Sequence, residues 1–167
     1  SATNTNIFFI SFIITNYKKL SSTSDMVGKV SFFGKTINGL SDDVRISKRL
    51  NIPSSRLRGF QSGKVGPVEN SDFIGGNYVS ALNLSTNLPG FSTLENIDFS
   101  YFVDFGSVWG VDYDSAIDDS NKIRSSTGFA LDLLTPVGPL SFSLTQPISK
   151  ASTDKTETFR FNLGTTF

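Results

Sequence analysis

"IDFSYFVDFGSVW", residues 97–109, alternates. Ile97, Phe99, Tyr101, Val103, Phe105 and Trp109 share one parity, opposed by Asp98, Ser100, Asp104 and Gly106. Successive side chains of a strand point to opposite faces, so this spacing predicts a strand that is greasy on one side and small or polar on the other. The final ten residues, "TFRFNLGTTF" (158–167), repeat the pattern, with Phe159, Phe161, Leu163, Thr165 and Phe167 set against Arg160, Asn162, Gly164 and Thr166. Chain ends are usually frayed and polar. A half-greasy ribbon that runs to the last residue implies a neighbour to which that residue is paired.

Working outward, five more segments of about ten residues carry a period of two, and helix signals are weak throughout. They lie at about 6–19, 25–39, 75–88, 122–135 and 139–148. The first places Phe8, Ile10, Phe12 and Ile14 together, but its other face is also apolar and leaves the register open. The third groups Tyr78, Leu82, Leu84 and Leu88; the fifth sets Phe129, Leu131 and Leu133 against Arg124, Ser126, Gly128, Ala130 and Asp132. The sixth opposes Leu140, Phe142 and Leu144 to Ser141, Ser143 and Thr145. The connections include two long loops, roughly 41–74 and "GVDYDSAIDDSNK" (110–122), and the intermediate, polar "SKASTDKTE" (149–157).

The totals narrow the function. The chain has 167 residues with 15 basic and 15 acidic side chains, so no net field gathers nucleic acid. It has no Cys and no His, which removes disulfides, thiolate metal sites and the commonest general base. No run of ~18 apolar residues offers a spanning helix. The opening "SATNTN" does not read as a signal peptide; if the protein is exported, its export signal lies upstream.

Two architectures use such alternation. A soluble sandwich turns its apolar faces towards a second sheet. A transmembrane barrel turns them towards lipid and lines an aqueous interior with the other faces. The apolar faces here are rich in Phe, with Tyr and Trp towards strand ends, and the opposite faces are Ser, Thr, Asn and Gly. That composition favours an all-β, antiparallel transmembrane β-barrel. Seven strands fall short of the eight or more that such barrels need, and an open edge in lipid leaves unpaired backbone groups, so the chain reads as part of a larger wall.

Four stretches then carry a family resemblance. "RLRGFQSGKVGP" (56–67) resembles the arginine–glycine–phenylalanine loop of the outer-membrane assembly-factor family typified by BamA. "FVDFGSVW" (102–109) resembles its Asp-x-Gly strand ending in Trp. "LTPVGPLSFSLTQPISK" (134–150) followed by "FRFNLGTTF" (159–167) resembles its last two strands and terminal assembly signal, and "DFIGGN" (72–77) fits where the loop rejoins the wall. The order holds from about residue 42 to the end. The resemblance implies that residues 1–167 are about seven C-terminal strands of a presumed, roughly 16-stranded barrel. The loop at 41–74 then folds into the lumen from outside, and the first strands and periplasmic POTRA modules lie upstream.

The same resemblance implies a non-enzymatic role: folding client barrel proteins and inserting them into the outer membrane of a Gram-negative-type cell through a lateral seam. Implied partners are outer-membrane lipids, unfolded client barrels and accessory lipoproteins, with no cofactor, metal or nucleic acid. The family pairs the loop arginine with a wall aspartate, here Arg58 and Asp104, with Gly59 allowing a tight turn and Phe60 packing on the wall. The family often places a glutamate where this chain has Asn83, and a Gly-Gly pair before the loop motif where it has "NIPSS" (51–55). The seam strand and assembly signal fall on Phe159, Phe161, Leu163, Gly164 and Phe167. Alternatives are a two-partner-secretion or autotransporter-assembly transporter of the same superfamily, a passive porin-like barrel, or a soluble sandwich.

Weaker candidates remain. Asp112, Asp114, Asp118 and Asp119 are loop carboxylates without an EF-hand's Gly and terminal Glu, and read first as solvated charge. Asp104 with Asp98 or Asp132 could form a hydrolytic carboxylate pair, but barrel lumens carry such groups routinely. "GKVGP" (63–67) lacks the spacing of a phosphate loop.

Overall fold

A computed structural model describes residues 7–40, 42–91, 96–136 and 138–163. One antiparallel sheet of seven strands dominates. Its members are β1 (Ile7–Lys19), β2 (Val27–Gly39), β5 (Tyr78–Asn87), β6 (Ile97–Trp109), β7 (Arg124–Thr135), β8 (Gly138–Ser149) and β9 (Phe159–Leu163), and each pairs with the next in that order. A two-residue hairpin, β3 (Val68–Glu69) with β4 (Asp72–Phe73), lies inside the long loop. All seven segments read from the alternation are strands. This hairpin was not legible, because two residues a side are too short to show a period.

The register settles which architecture the alternation builds. Tyr101 lies opposite Phe129, Phe129 opposite Leu144, and Leu144 opposite Phe159, so the greasy side chains form continuous rows across four strands. These rows face outward: Phe12, Phe129 and Phe161 are each about half exposed. Among the described residues no second sheet covers them, which sets the sandwich aside. Phe99 stacks on Phe129 at 5.6 Å, and Tyr78 stacks on Trp109 at 5.6 Å at the loop end of the wall, where an interfacial aromatic girdle belongs.

The first strand's open register is resolved through its partner. Ile13 lies opposite Phe33 and Thr15 opposite Ser31, and Phe33 and Ser31 point inward. Phe8, Ile10, Phe12 and Ile14 are therefore the outer row. β1 and β9 form the two edges of the sheet, and Tyr17 of β1 and Asn162 of β9 line one cavity of about 490 Å³, so the sheet curls around its inner face.

The inner face departs from the polar lining that its Ser and Asn content suggests. Phe102 and Val108 have inner parity in β6, and both are fully buried. They are covered by residues 42–74, which lie across the inner face, where Leu50, Ile52, Leu57 and Phe60 of the loop build an apolar core with Phe33 and Ile37 of the wall. At Gly106 the loop packs directly on β6. A Cβ there would stand 2.4 Å from Ile52 Cδ1 and 3.4 Å from Leu57. The Asp-x-Gly step thus has a steric half, in which glycine clears the floor beside Asp104. Gly106→Val is expected to unseat the loop while leaving the strands paired. The check is amide exchange: residues 50–60 lose protection and residues 78–87 keep it. Unchanged protection at 50–60 sinks this account.

Candidate functional site: the loop seated on the inner wall

Residues 56–60 form the tip of the folded-in segment. Arg56 N–H donates to Pro53 O at 2.9 Å, so Pro53 starts a tight turn that turns the chain towards the wall. Leu57 anchors the turn at 1% exposure, and Arg58 then reaches β6. Its Nε donates to Asp104 Oδ2 at 2.7 Å and its Nη2 to Asp104 Oδ1 at 2.8 Å, a two-pronged, charge-assisted contact. Arg58 N–H adds a third bond to Asp104 Oδ2 at 3.2 Å. The guanidinium also lies 3.4 Å from the centre of the Phe102 ring. Phe102, which breaks the polar lining, is therefore the platform on which the arginine rests.

Asn83 lies opposite Asp104 on β5. Its Nδ2 donates to Asp104 Oδ1 at 2.8 Å and to Arg56 O at 2.8 Å. A neutral donor at this position supports the aspartate, where a carboxylate would repel it across the register. Asp104, whose side chain is fully buried, collects four hydrogen bonds. Gly59 has φ +86°, and a Cβ there would meet Thr145 Cγ2 at 2.5 Å, so both backbone and space demand glycine. Phe60 is 1% exposed and pairs as an isolated bridge with Thr156.

Phe159, Phe161 and Leu163 line the outer face of β9, with Arg160 and Asn162 turned inward. Gly164 and Phe167 lie outside the described residues. Asp98 and Asp132 face each other across β6 and β7 at the end of the wall away from the loop, six register positions from Asp104, and Asp132 accepts from Ser141. Asp104 is committed to Arg58, so no carboxylate pair forms with it. Among the described residues no group of three metal-capable side chains converges. Asp119 Oδ2 accepts from Val111 N–H at 2.7 Å, Asp118 pairs with Lys122, and Asp114 Oδ1 accepts from Ala116 N–H at 2.8 Å.

Among the ion pairs that escaped sequence reading, two have an arginine almost fully buried. Arg124, at the loop end of β7, places Nε 2.9 Å from Asp154 Oδ2 and Nη2 3.1 Å from Asp154 Oδ1, and both side chains are almost fully buried. Arg49, with a fully buried side chain, pairs with Asp112 and donates to Val44 O at 2.9 Å and Asn77 Oδ1 at 3.2 Å. Each joins residues far apart in the chain, and no spacing rule marks them. Asp112, singled out as a loop carboxylate, is thus a tie between the 110–123 loop and the folded-in segment.

That tie carries a pH dependence. Burial by itself raises the Asp112 pKa, but hydrogen bonds from Val44 N–H, the Asn77 amide and Arg49, with the charge of Arg49, outweigh it and hold the carboxyl below its ordinary value. A depressed folded pKa means that the tie is complete above the unfolded value of about 3.9 and is lost as pH falls through the folded one. Val44 N–H, 3.0 Å from Asp112 Oδ2, is expected to lose exchange protection below about pH 4. Asp112→Asn should give much of that loss at neutral pH. Equal protection factors at pH 3 and pH 7 would refute this.

The fold and the seated loop frame the comparisons with known proteins. The Omp85 superfamily domain matches residues 3–167. The chain belongs to the Omp85 superfamily. That match takes in nearly the whole chain, including the first strands, which the sequence motifs did not reach. The chain is 32% identical over 141 residues to the outer membrane protein assembly factor BamA of Neisseria meningitidis serogroup B, an alignment covering 66% of this chain and 17% of that protein. It is 28% identical over 117 residues to the BamA of Neorickettsia risticii, covering 68% of this chain and 16% of that one. The fold matches the crystal structure of BamA from Haemophilus ducreyi lacking POTRA domains 1-3, with TM-score 0.84 and 27% identity over 94% of this chain and 34% of that one. The chain therefore spans about a sixth of the curated relatives and about a third of the solved chain. Superfamily membership assigns the Phe-rich outer rows to the outer membrane of Gram-negative bacteria.

Proposed function

We propose that residues 1–167 form the C-terminal wall of a barrel whose full-length protein folds client barrel proteins and inserts them into the outer membrane. In this reading POTRA modules and earlier strands precede the chain, and accessory lipoproteins attach to them. The long loop enters from the cell exterior, and the pair of Arg58 with Asp104 locks it against the inner wall. The observation that carries the reading is the placement of Arg58 on Asp104, 46 residues away, over the Phe102 ring. A barrel that only conducts ions would not depend on this anchor to handle clients, so loss of client insertion on breaking it separates the two readings.

The last strand is the edge that meets a client. Among the described residues β9 pairs with β8 over Phe159–Leu163, and in this reading its other edge faces the earlier strands of the full barrel across the seam. A client segment adds to this edge by strand addition, its backbone groups completing the ladder and its side chains continuing the outer row. The test is reconstitution of the full-length protein in vesicles with an unfolded client barrel. Faster folding of several unrelated clients supports the reading. Steady ion conductance without acceleration supports a porin-like barrel, and handling of one dedicated partner supports a secretion transporter of the superfamily.

A further inference from the structure

Three successive carbonyl oxygens at the loop tip are each held by a different part of the wall. Arg58 O accepts from Ser126 Oγ of β7 at 2.6 Å. Gly59 O accepts from Glu157 N–H at 3.0 Å. Phe60 O accepts from Arg160 Nη2 of β9 at 2.8 Å. The tip also pairs with the chain just before β9. Gln61 N–H donates to Lys155 O at 2.9 Å, and Lys155 N–H to Lys64 O at 3.1 Å. These bonds flank the Phe60–Thr156 bridge, so residues 59–61 and 155–157 form a short antiparallel ladder.

Arg160 closes this arrangement from the strand itself. It projects from the inner face of β9, its side chain is only 13% exposed, and it pairs with Glu157 while reaching Phe60 O. The guanidinium geometry permits both contacts at once, because its donors point in fixed, divergent directions. The carbonyl that Arg160 holds is two residues from Arg58, and Gly59 between them leaves no side chain to buffer a shift. A displacement of Arg58 from Asp104 therefore reaches β9 directly, without passing through β7 and β8.

We propose that Arg160 is a positioning residue that couples the seated loop to the last strand, setting where β9 lies before a client pairs with it. The role rests on the assembly reading above. With the loop seated, the loop end of β9 is gripped by the ladder and Arg160. With the loop displaced, that grip is lost, and the edge presented to a client loses its fixed register.

The test uses the full-length protein with five variants: Arg160→Ala, Arg160→Lys, Glu157→Gln, Arg58→Ala, and Arg58→Ala combined with Arg160→Ala. Amide exchange is read at residues 155–163, alongside client insertion into vesicles. Arg160→Ala should raise exchange at 155–163 at least about tenfold, leave 78–87 and 97–109 unchanged, and slow insertion. Arg160→Lys, which keeps one donor and the charge, should recover part of both. Glu157→Gln should behave as the parent, since the contact to Phe60 O survives. Adding Arg160→Ala to Arg58→Ala should change little, because both break one path.

Parent-like protection in Arg160→Ala overturns the proposal, as does an increase spread evenly over the sheet, or additivity of the two arginine variants. Lost protection with undiminished insertion also overturns it. Failure of the parent protein to insert any client would instead sink the assembly reading, and the exchange data would still decide whether the loop grips the strand.

Discussion

Arg58→Ala in the full-length protein is expected to abolish most client insertion while the barrel still forms. The reason is what remains behind. Asp104 has a fully buried side chain, and without the guanidinium it keeps only the Arg58 N–H and the Asn83 amide. Removing one partner of a buried pair costs about 3–5 kcal/mol, because the other charge is left uncompensated. A loop held in place by a comparable margin would then populate displaced states far more often, since each 1.4 kcal/mol or so is about tenfold in an equilibrium. Arg58→Lys keeps the charge but loses the fork and is expected to fall between. Asp104→Asn should resemble Arg58→Ala in direction with a smaller effect, since its side chain still accepts one bond. The measurement is the folding rate of a client in vesicles, paired with exchange at residues 57–64. Insertion at the parent rate in Arg58→Ala would favour the passive channel.

The second large effect is expected at Arg124. Its pair with Asp154 is buried on both sides, and Asp154 Oδ2 otherwise accepts only Ala151 N–H, at 2.6 Å. Arg124→Ala should lower stability by about 3–5 kcal/mol for the same reason as above. The loss should concentrate in residues 150–158, which Asp154 ties to the start of β7. Replacing both partners with apolar residues, as in Arg124→Met with Asp154→Leu, removes the stranded charge and is expected to restore most of the midpoint. Urea unfolding of the folded barrel in detergent reads the difference. If the double variant is no more stable than Arg124→Ala, the pair is not the cause. The contrast with the exposed Lys122–Asp118 pair is instructive: both of its partners are solvated, so its removal should barely register.

Much of the wall was legible because a strand's period is strictly two. Residues 97–109 declare their two faces by parity alone, and the observed register carries that parity across the seven strands except at the Ser125/Ser126 register shift of β7. The first segment could not be read this way, since Phe9 and Ile13 make its second face apolar as well; only the pairing of Ile13 with Phe33 oriented it. The resemblance around Arg58 and Asp104 named two residues that the structure brings into contact, yet their spacing of 46 residues contains no chemistry. Arg49 with Asp112 and Arg124 with Asp154 had no motif to mark them.

The amino-acid sequence by itself determined the alternating strands and, in six of the seven, which residues share a face, because these depend on neighbours one or two residues away. The tertiary structure alone decided that part of the inner face is a dry core, that Phe102 supports an arginine, and that the tip at 58–60 holds the last strand. Those outcomes depend on a loop folding back across the sheet. Which distant side chains then meet follows from the curvature of the wall and the space left by Gly59 and Gly106, and no local period encodes either.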